Sequence, residues 1–183
     1  PAMLSGYAEL WAIRKLRPIL PVAFVSYALI LAERGLWAGP YLTDVHGLST
    51  IDRGSALLAF ASAMAVGSLA SGFSDRVIDS RKWFAIGGMA LTTLLFIVLG
   101  LLPPSAPVAA TLLLVGIGGF GMTYSIVMAH ARRYLPDHLV GRGLTLVNAL
   151  FFAGAAVLLP LSGLVMDTMR AAALPVADAF AVL

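Results

Sequence analysis

From Ser55 to Ser71 the chain carries no charged side chain, and from Trp83 to Leu102 again none. Each run falls within the ~17–25 residues that a helix needs to cross the apolar core of a bilayer. Between them lies Gly72-Phe-Ser-Asp75-Arg76-Val-Ile-Asp79-Ser-Arg81-Lys82, which holds five of the 21 Asp, Glu, Lys and Arg residues of the chain. Two membrane-length apolar segments joined by a charged hinge form a hairpin that turns in water. In lipid every backbone polar group needs an internal partner, so the segments are expected as helices.

The rest of the composition agrees with that reading. Apolar residues make up 60% of the 183 and charged residues 11%, against roughly 25% charged in a soluble domain. So little charge cannot cover a water-exposed surface of this size. With no cysteine, disulfides, thiolate catalysis and Cys-ligated metals are excluded. The net charge of +3 does not point to nucleic acid, because the basic residues follow the loops of a membrane topology.

In chain order, residues 1–17 are a lead-in with Met3, Leu4, Tyr7, Leu10 and Trp11 at helical spacing, then Arg14, Lys15 and Arg17. That pattern suits an interfacial helix on a headgroup layer. A transmembrane half-domain over 18–183 follows, with spans expected at about 18–41, 52–74, 83–102, 108–131, 140–166 and, truncated, 171–183. Pro18 and Pro21 fit the first turn of the first span, and Asp52 is the expected cap of the second. The second span is rich in Ala, Gly and Ser and is expected inside a bundle. The third carries Leu94, Phe96 and Ile97 and is expected to face lipid. Gly116, Gly118, Gly119 and Gly121 lie in the fourth, and Gly154, Pro160 and Gly163 in the fifth.

Three hinges on one side carry nine of the twelve basic residues: Arg14, Lys15 and Arg17; Arg76, Arg81 and Lys82; Arg132, Arg133 and Arg142. The opposite loops carry only Arg53 and Arg170, and Arg34 lies within the first span. Cytoplasmic loops hold the Lys and Arg excess, so loops 75–82 and 132–142 are expected in the cytoplasm of a bacterial inner membrane. The first residues are Pro-Ala-Met, and the last apolar segment stops about a dozen residues after Ala171. A fragment of a longer protein is the expectation.

Ser71-Gly72, Asp75-Arg76 and Arg81-Lys82, placed after the second span, resemble the loop signature of the major facilitator superfamily, Gly-x-x-x-Asp-Arg-x-Gly-Arg-Lys/Arg. Here Gly72 precedes Asp75 by three positions rather than four, and Val77 to Ser80 form a longer spacer without its glycine. Such looseness is more usual in the second half of that twelve-helix fold. Gly35 to Leu42, and Pro136, Gly141, Arg142, Gly143 and Asn148 at the entry to the fifth span, add to the resemblance, which covers about 17–170. It implies the C-terminal six-helix half of a secondary transporter, missing its N-terminal half. The spans would then be helices seven to eleven and the start of twelve. It further implies that the loop formed by Gly72, Asp75, Arg76, Arg81 and Lys82 biases the inward/outward equilibrium, that helices seven and ten line the cavity, and that eight and eleven form the seam between halves.

Ionisable groups inside lipid are costly and point to function. Glu33 and Arg34 lie roughly 22–24 Å from Pro18 in a core of about 30 Å, toward the outer face. A proton-coupling carboxylate and an anion-attracting arginine are one reading; a structural or snorkelling pair is the other. Ser26, Tyr27, Tyr124 and Asn148 are the polar candidates that the resemblance draws to the cavity; neighbouring helices are alternative partners for them. His46, His130 and His138 lie near aqueous boundaries, and no carboxylate pair or metal-ligand cluster falls within the spans, so neither catalysis nor a cofactor is expected. The expected partners are the bilayer, a small solute and protons. A non-transporting membrane module, or a transporter-like domain fused to an enzyme, stays open as the alternative.

Overall fold

The computed structural model describes the backbone of residues 2–77 and 81–183 and the side chains of 6–72 and 82–183. The side chains of Asp75, Arg76 and Arg81 lie outside the described residues. The fold is all-α. Five helical stretches are long and apolar enough to cross a membrane: Ile19–Val45, Thr50–Gly72, Lys82–Gly100, Pro107–Arg132 and Asp137–Ala171, here spans one to five. A lead-in helix, Ala2–Ala12, precedes them and a short terminal helix, Val176–Val182, follows.

Span one runs to Val45 rather than 41, because Pro40 does not end it. Proline supplies no N–H and crowds the carbonyl one turn back. The helix responds by widening into π-turns on both sides, at Glu33–Trp37 and Tyr41–Val45. It stops at Gly47, whose φ of +66° is the left-handed geometry of a helix C-cap. The Gly47 N–H donates to the Thr43 carbonyl at 3.0 Å and that of Leu48 to Leu42 at 3.1 Å. Span two begins at Thr50, and its cap is Ser49 rather than Asp52. Ser49 Oγ accepts the Asp52 N–H at 3.2 Å and donates to Asp52 Oδ2 at 2.7 Å, so the carboxylate supports the cap instead of forming it.

Span four is interrupted. Its first segment ends at Gly121 and the second starts at Tyr124. Between them Met122 (φ −76°, ψ 46°) is the centre of an inverse γ-turn, closed by the Thr123 N–H on the Gly121 carbonyl at 2.8 Å. Ser71 Oγ of span two lies 3.3 Å from the Met122 carbonyl that the turn frees.

Spans one and five form the most extensive helix pair, and spans two and three both lean on span four. The first two pairings are close enough to require glycine. A Cβ on Gly154 would fall on the Phe24 carbonyl oxygen, and one on Gly67 on the Gly119 carbonyl oxygen. Only one stripe of span two, with Ala56, Phe60 and Met64, is buried in the core; Ala59, Ser62 and Ala70 face outward, contrary to the expectation of a helix enclosed in the bundle. Its small residues therefore serve one tight crossing and an open surface. Span three is outward-facing over most of its length, with Leu94 and Ile97 exposed.

The lead-in helix does more than rest on a surface. Leu10 and Leu16 are fully buried beside Ala131, Leu135, Leu139 and Val147, while Tyr7 and Trp11 remain exposed. His138 Nε2 meets Glu9 Oε2 at 3.3 Å, and Arg17 Nε donates to the Trp11 carbonyl at 2.7 Å. These contacts bring the first and third basic clusters to one end of the bundle. The other end joins loop to loop: His46 Nδ1 is 2.9 Å from the Pro104 carbonyl oxygen, and Tyr41 packs on Phe180 of the terminal helix.

Candidate functional site

The first π-turn sets one part of the site. Glu33 and Trp37 open and close it, and both side chains line a pocket of about 540 Å³ bounded by spans one, three and five and the terminal helix. Its walls are mostly apolar and aromatic, with Trp37, Tyr41, Phe96 and Phe180 among them and Thr93 and Ser162 the hydroxyls. Trp37 Nε1–H donates to Ser162 Oγ at 3.0 Å, which donates in turn to the Leu159 carbonyl at 2.8 Å. Tyr41 OH donates to the Leu99 carbonyl at 3.2 Å. The polar tips of both aromatic walls are thereby satisfied, and the rings are fixed edge-on against Phe180. Among the described residues the Glu33 carboxylate has no hydrogen bond and no ion pair.

Arg34 does not neutralise it. Adjacent positions point to different sides of a helix, and Arg34 is exposed while Glu33 turns into the pocket. A π-turn inserts one residue into the helical register, and such bulges are frequent at functional sites. This part of span one runs along one hydrophobic core, through Ile30, Ala38, Tyr41 and Leu42, while a second core takes in Ile19 and Ala23 nearer the basic end.

The other candidates gather closer to the basic end. Tyr27 of span one and Tyr124, the first residue after the break in span four, have ring centroids 5.4 Å apart. Phe151 and Phe152 of span five complete the cluster at 6.1 and 5.8 Å from Tyr27. Phe151 is buried and Phe152 exposed, so the cluster reaches from the core to an open face. Asn148, one turn before Phe152, is exposed. Ser26 Oγ is buried without a hydrogen-bond partner among the described residues. Tyr27 and Tyr124 are thus brought together, whereas Glu33 and Arg34 belong to a separate level of span one, nearer the opposite end.

Of the hinge residues, Gly72 lies inside the helix Thr50–Val77 with open space around the position of a Cβ, and Lys82 Nζ sits 5.6 Å from the centroid of Trp83. Trp37, Ser162, Phe151 and Phe152 were not singled out by sequence reasoning. The available signal was Pro40 inside span one, which forces a widened turn and thereby places Trp37. Groups of three or more His, Asp or Glu that could hold a metal are absent among the described residues.

The sequence profile of the Major Facilitator Superfamily matches residues 3–169. No curated protein and no solved structure matches the chain.

Proposed function

Because the chain belongs to the major facilitator superfamily, a family of membrane transporters, we propose that it is one six-helix half of a secondary transporter that carries a small solute by alternating access. The half is the C-terminal one, and the second half of the cavity wall comes from the N-terminal half. Substrate and coupling sites in such proteins lie at broken helices near the middle of the membrane. Span four is broken at Met122, and Tyr124 starts its second segment beside Tyr27. Tyr27, Ser26, Tyr124 and Asn148 line the solute path in this reading.

Protons drive the cycle, and Glu33 carries them. The observation that supports this assignment is a carboxylate without a hydrogen bond or ion pair among the described residues, in a mostly apolar and aromatic pocket. A carboxyl group can take up and release one proton per cycle when its access to water differs between two states, and a conformational equilibrium shifts only by such a difference. Arg34, exposed on another side of span one, draws anions toward that end of the bundle, and the hinge of Gly72, Asp75, Arg76, Arg81 and Lys82 sets which way the protein faces.

The test is uptake by proteoliposomes of the full-length protein under an imposed proton gradient, screened with labelled sugars, amino acids and organic cations. With Glu33→Gln, uphill accumulation is lost while downhill exchange of the same solute continues. Equal accumulation by the variant removes Glu33 from coupling.

A further inference from the structure

Among the described residues that line the pocket of Glu33, four side chains carry an N–H or O–H, and each proton is already committed. Trp37 Nε1–H goes to Ser162 Oγ, the Ser162 hydroxyl to the Leu159 carbonyl and the Tyr41 hydroxyl to the Leu99 carbonyl. The Thr93 hydroxyl goes to the Met89 carbonyl at 2.9 Å, one turn back on span three. Glu33 apart, the remaining walls are aliphatic or phenyl. Spans one, three and five and the terminal helix all contribute to them, so the site is assembled within this chain.

That inventory restricts what the pocket can recognise. A sugar is held through donors and acceptors together, and a carboxylate or phosphate through donors or cations. The pocket has no donor to spare and no cation on its walls. What stays free is the Glu33 carboxylate and the faces of the aromatic rings, which are the negative part of each ring quadrupole. Both attract positive charge. Calcium or magnesium would need about six oxygen ligands, and one carboxylate does not supply them. An organic cation needs one countercharge and an apolar enclosure, and aromatic walls are the usual recognition element for alkylated ammonium groups. The volume of about 540 Å³ lies within the roughly 300–1,000 Å³ of sites for drug-sized ligands.

We infer that this pocket binds a lipophilic organic cation, with its charge at Glu33 and its apolar groups against Trp37, Phe96 and Phe180. The binding follows from the chemistry of the walls; that the cation is also the solute carried rests on the transport reading above.

The experiment uses the full-length protein in detergent, dialysed to equilibrium against radiolabelled tetraphenylphosphonium, with protein-free micelles subtracted. Tetraphenylborate, of the same shape and opposite charge, is the control. Tetraphenylphosphonium binds saturably and tetraphenylborate does not displace it. Glu33→Gln weakens binding about tenfold or more, through loss of the charge pair, whereas Glu33→Asp retains most of it. Phe96→Leu weakens it about three- to tenfold, the share of one aromatic face. Thermal unfolding establishes that each variant is folded, and the comparison of the two ions needs no variant. Equal binding of both ions, or indifference to Glu33→Gln, overturns the site in favour of a merely apolar cavity. Absence of saturable binding overturns it in favour of a pocket filled by protein. Glu33-dependent binding in a protein without proton-driven transport upholds the site and fails the transport reading; Glu33-dependent transport without such binding does the reverse.

Discussion

Gly154 and Gly163 lie on the same helix, span five, and the structure predicts opposite signs for their replacement by alanine. Inside a helix, Gly→Ala gains about 0.5–1 kcal/mol from backbone entropy wherever the methyl group fits. At Gly163 nothing lies within 4 Å of the new Cβ, so the gain is realised in full. At Gly154 the methyl would occupy the position of the Phe24 carbonyl oxygen. That obstacle is backbone, which cannot rotate away as a side chain can, and spans one and five must separate along the most extensive helix contact in the bundle. Overpacking of this kind costs about 1–3 kcal/mol, occasionally more. Set against the propensity gain, Gly154→Ala is expected to lose up to about 2.5 kcal/mol, and the two variants to differ by the overpacking cost itself, about 1–3 kcal/mol. At roughly 2–4 °C per kcal/mol, their thermal midpoints should differ by about 2–12 °C. The measurement is thermal unfolding of the purified full-length protein in one detergent, followed by tryptophan fluorescence. Equal shifts, or Gly154→Ala as the more stable, would refute the close approach of spans one and five.

Three further experiments probe local features. Trp37→Phe should cost about 1 kcal/mol through the lost bond to Ser162; the loss should disappear in a Ser162→Ala background, and a double-mutant cycle showing no coupling would remove the contact. Tyr27→Ala and Tyr124→Ala should be coupled by about 0.5–1.5 kcal/mol through their ring contact, a value read from unfolding of the single and double variants. Gly47→Ala forces a methyl-bearing residue to φ of +66° and should cost about 1–2 kcal/mol, visible as a lowered thermal midpoint; a neutral result would contradict the left-handed cap.

What the sequence disclosed depended on the range of the interaction involved. The spans were legible because burial in lipid acts on every residue of a run, so Trp83 to Leu102 needs no knowledge of its neighbours. The outward face of span three was legible for the same reason, through its large apolar residues. Features decided by contact were not. Small residues in span two suggested close packing, but of its glycines Gly54, Gly67 and Gly72 only Gly67 meets a neighbouring backbone, and the equally small Ala59 and Ala70 face outward. Ser49 and Asp52 are both competent caps, and only the start of the helix at Thr50 separates their roles. Pro40 announced a disturbance without saying whether span one would break, kink or widen. It widens because Tyr41 and Leu42 continue into the core on the far side. Glu33 was legible as a costly charge, whereas its pocket required the arrival of Ser162 and Phe180 from distant parts of the chain.

The interruption of span four and the start of the hinge are one mechanical unit. Ser71 Oγ lies 2.8 Å from the Gly67 carbonyl and 3.3 Å from that of Met122, so its single proton is divided between its own helix and the γ-turn. Four residues earlier on the same span, Gly67 packs against the backbone of Gly119, just before the turn. Immediately after the turn, Tyr124 joins Tyr27 and Phe151. A displacement of the hinge end of span two along span four must therefore separate Gly67 from Gly119 and withdraw Ser71 from Met122. The withdrawal leaves the Met122 carbonyl without that partner. The second segment of span four can follow that displacement without dragging the first, because the helical ladder is already open at Met122. The polar loop between spans two and three is thus connected to the aromatic cluster through three contacts in sequence.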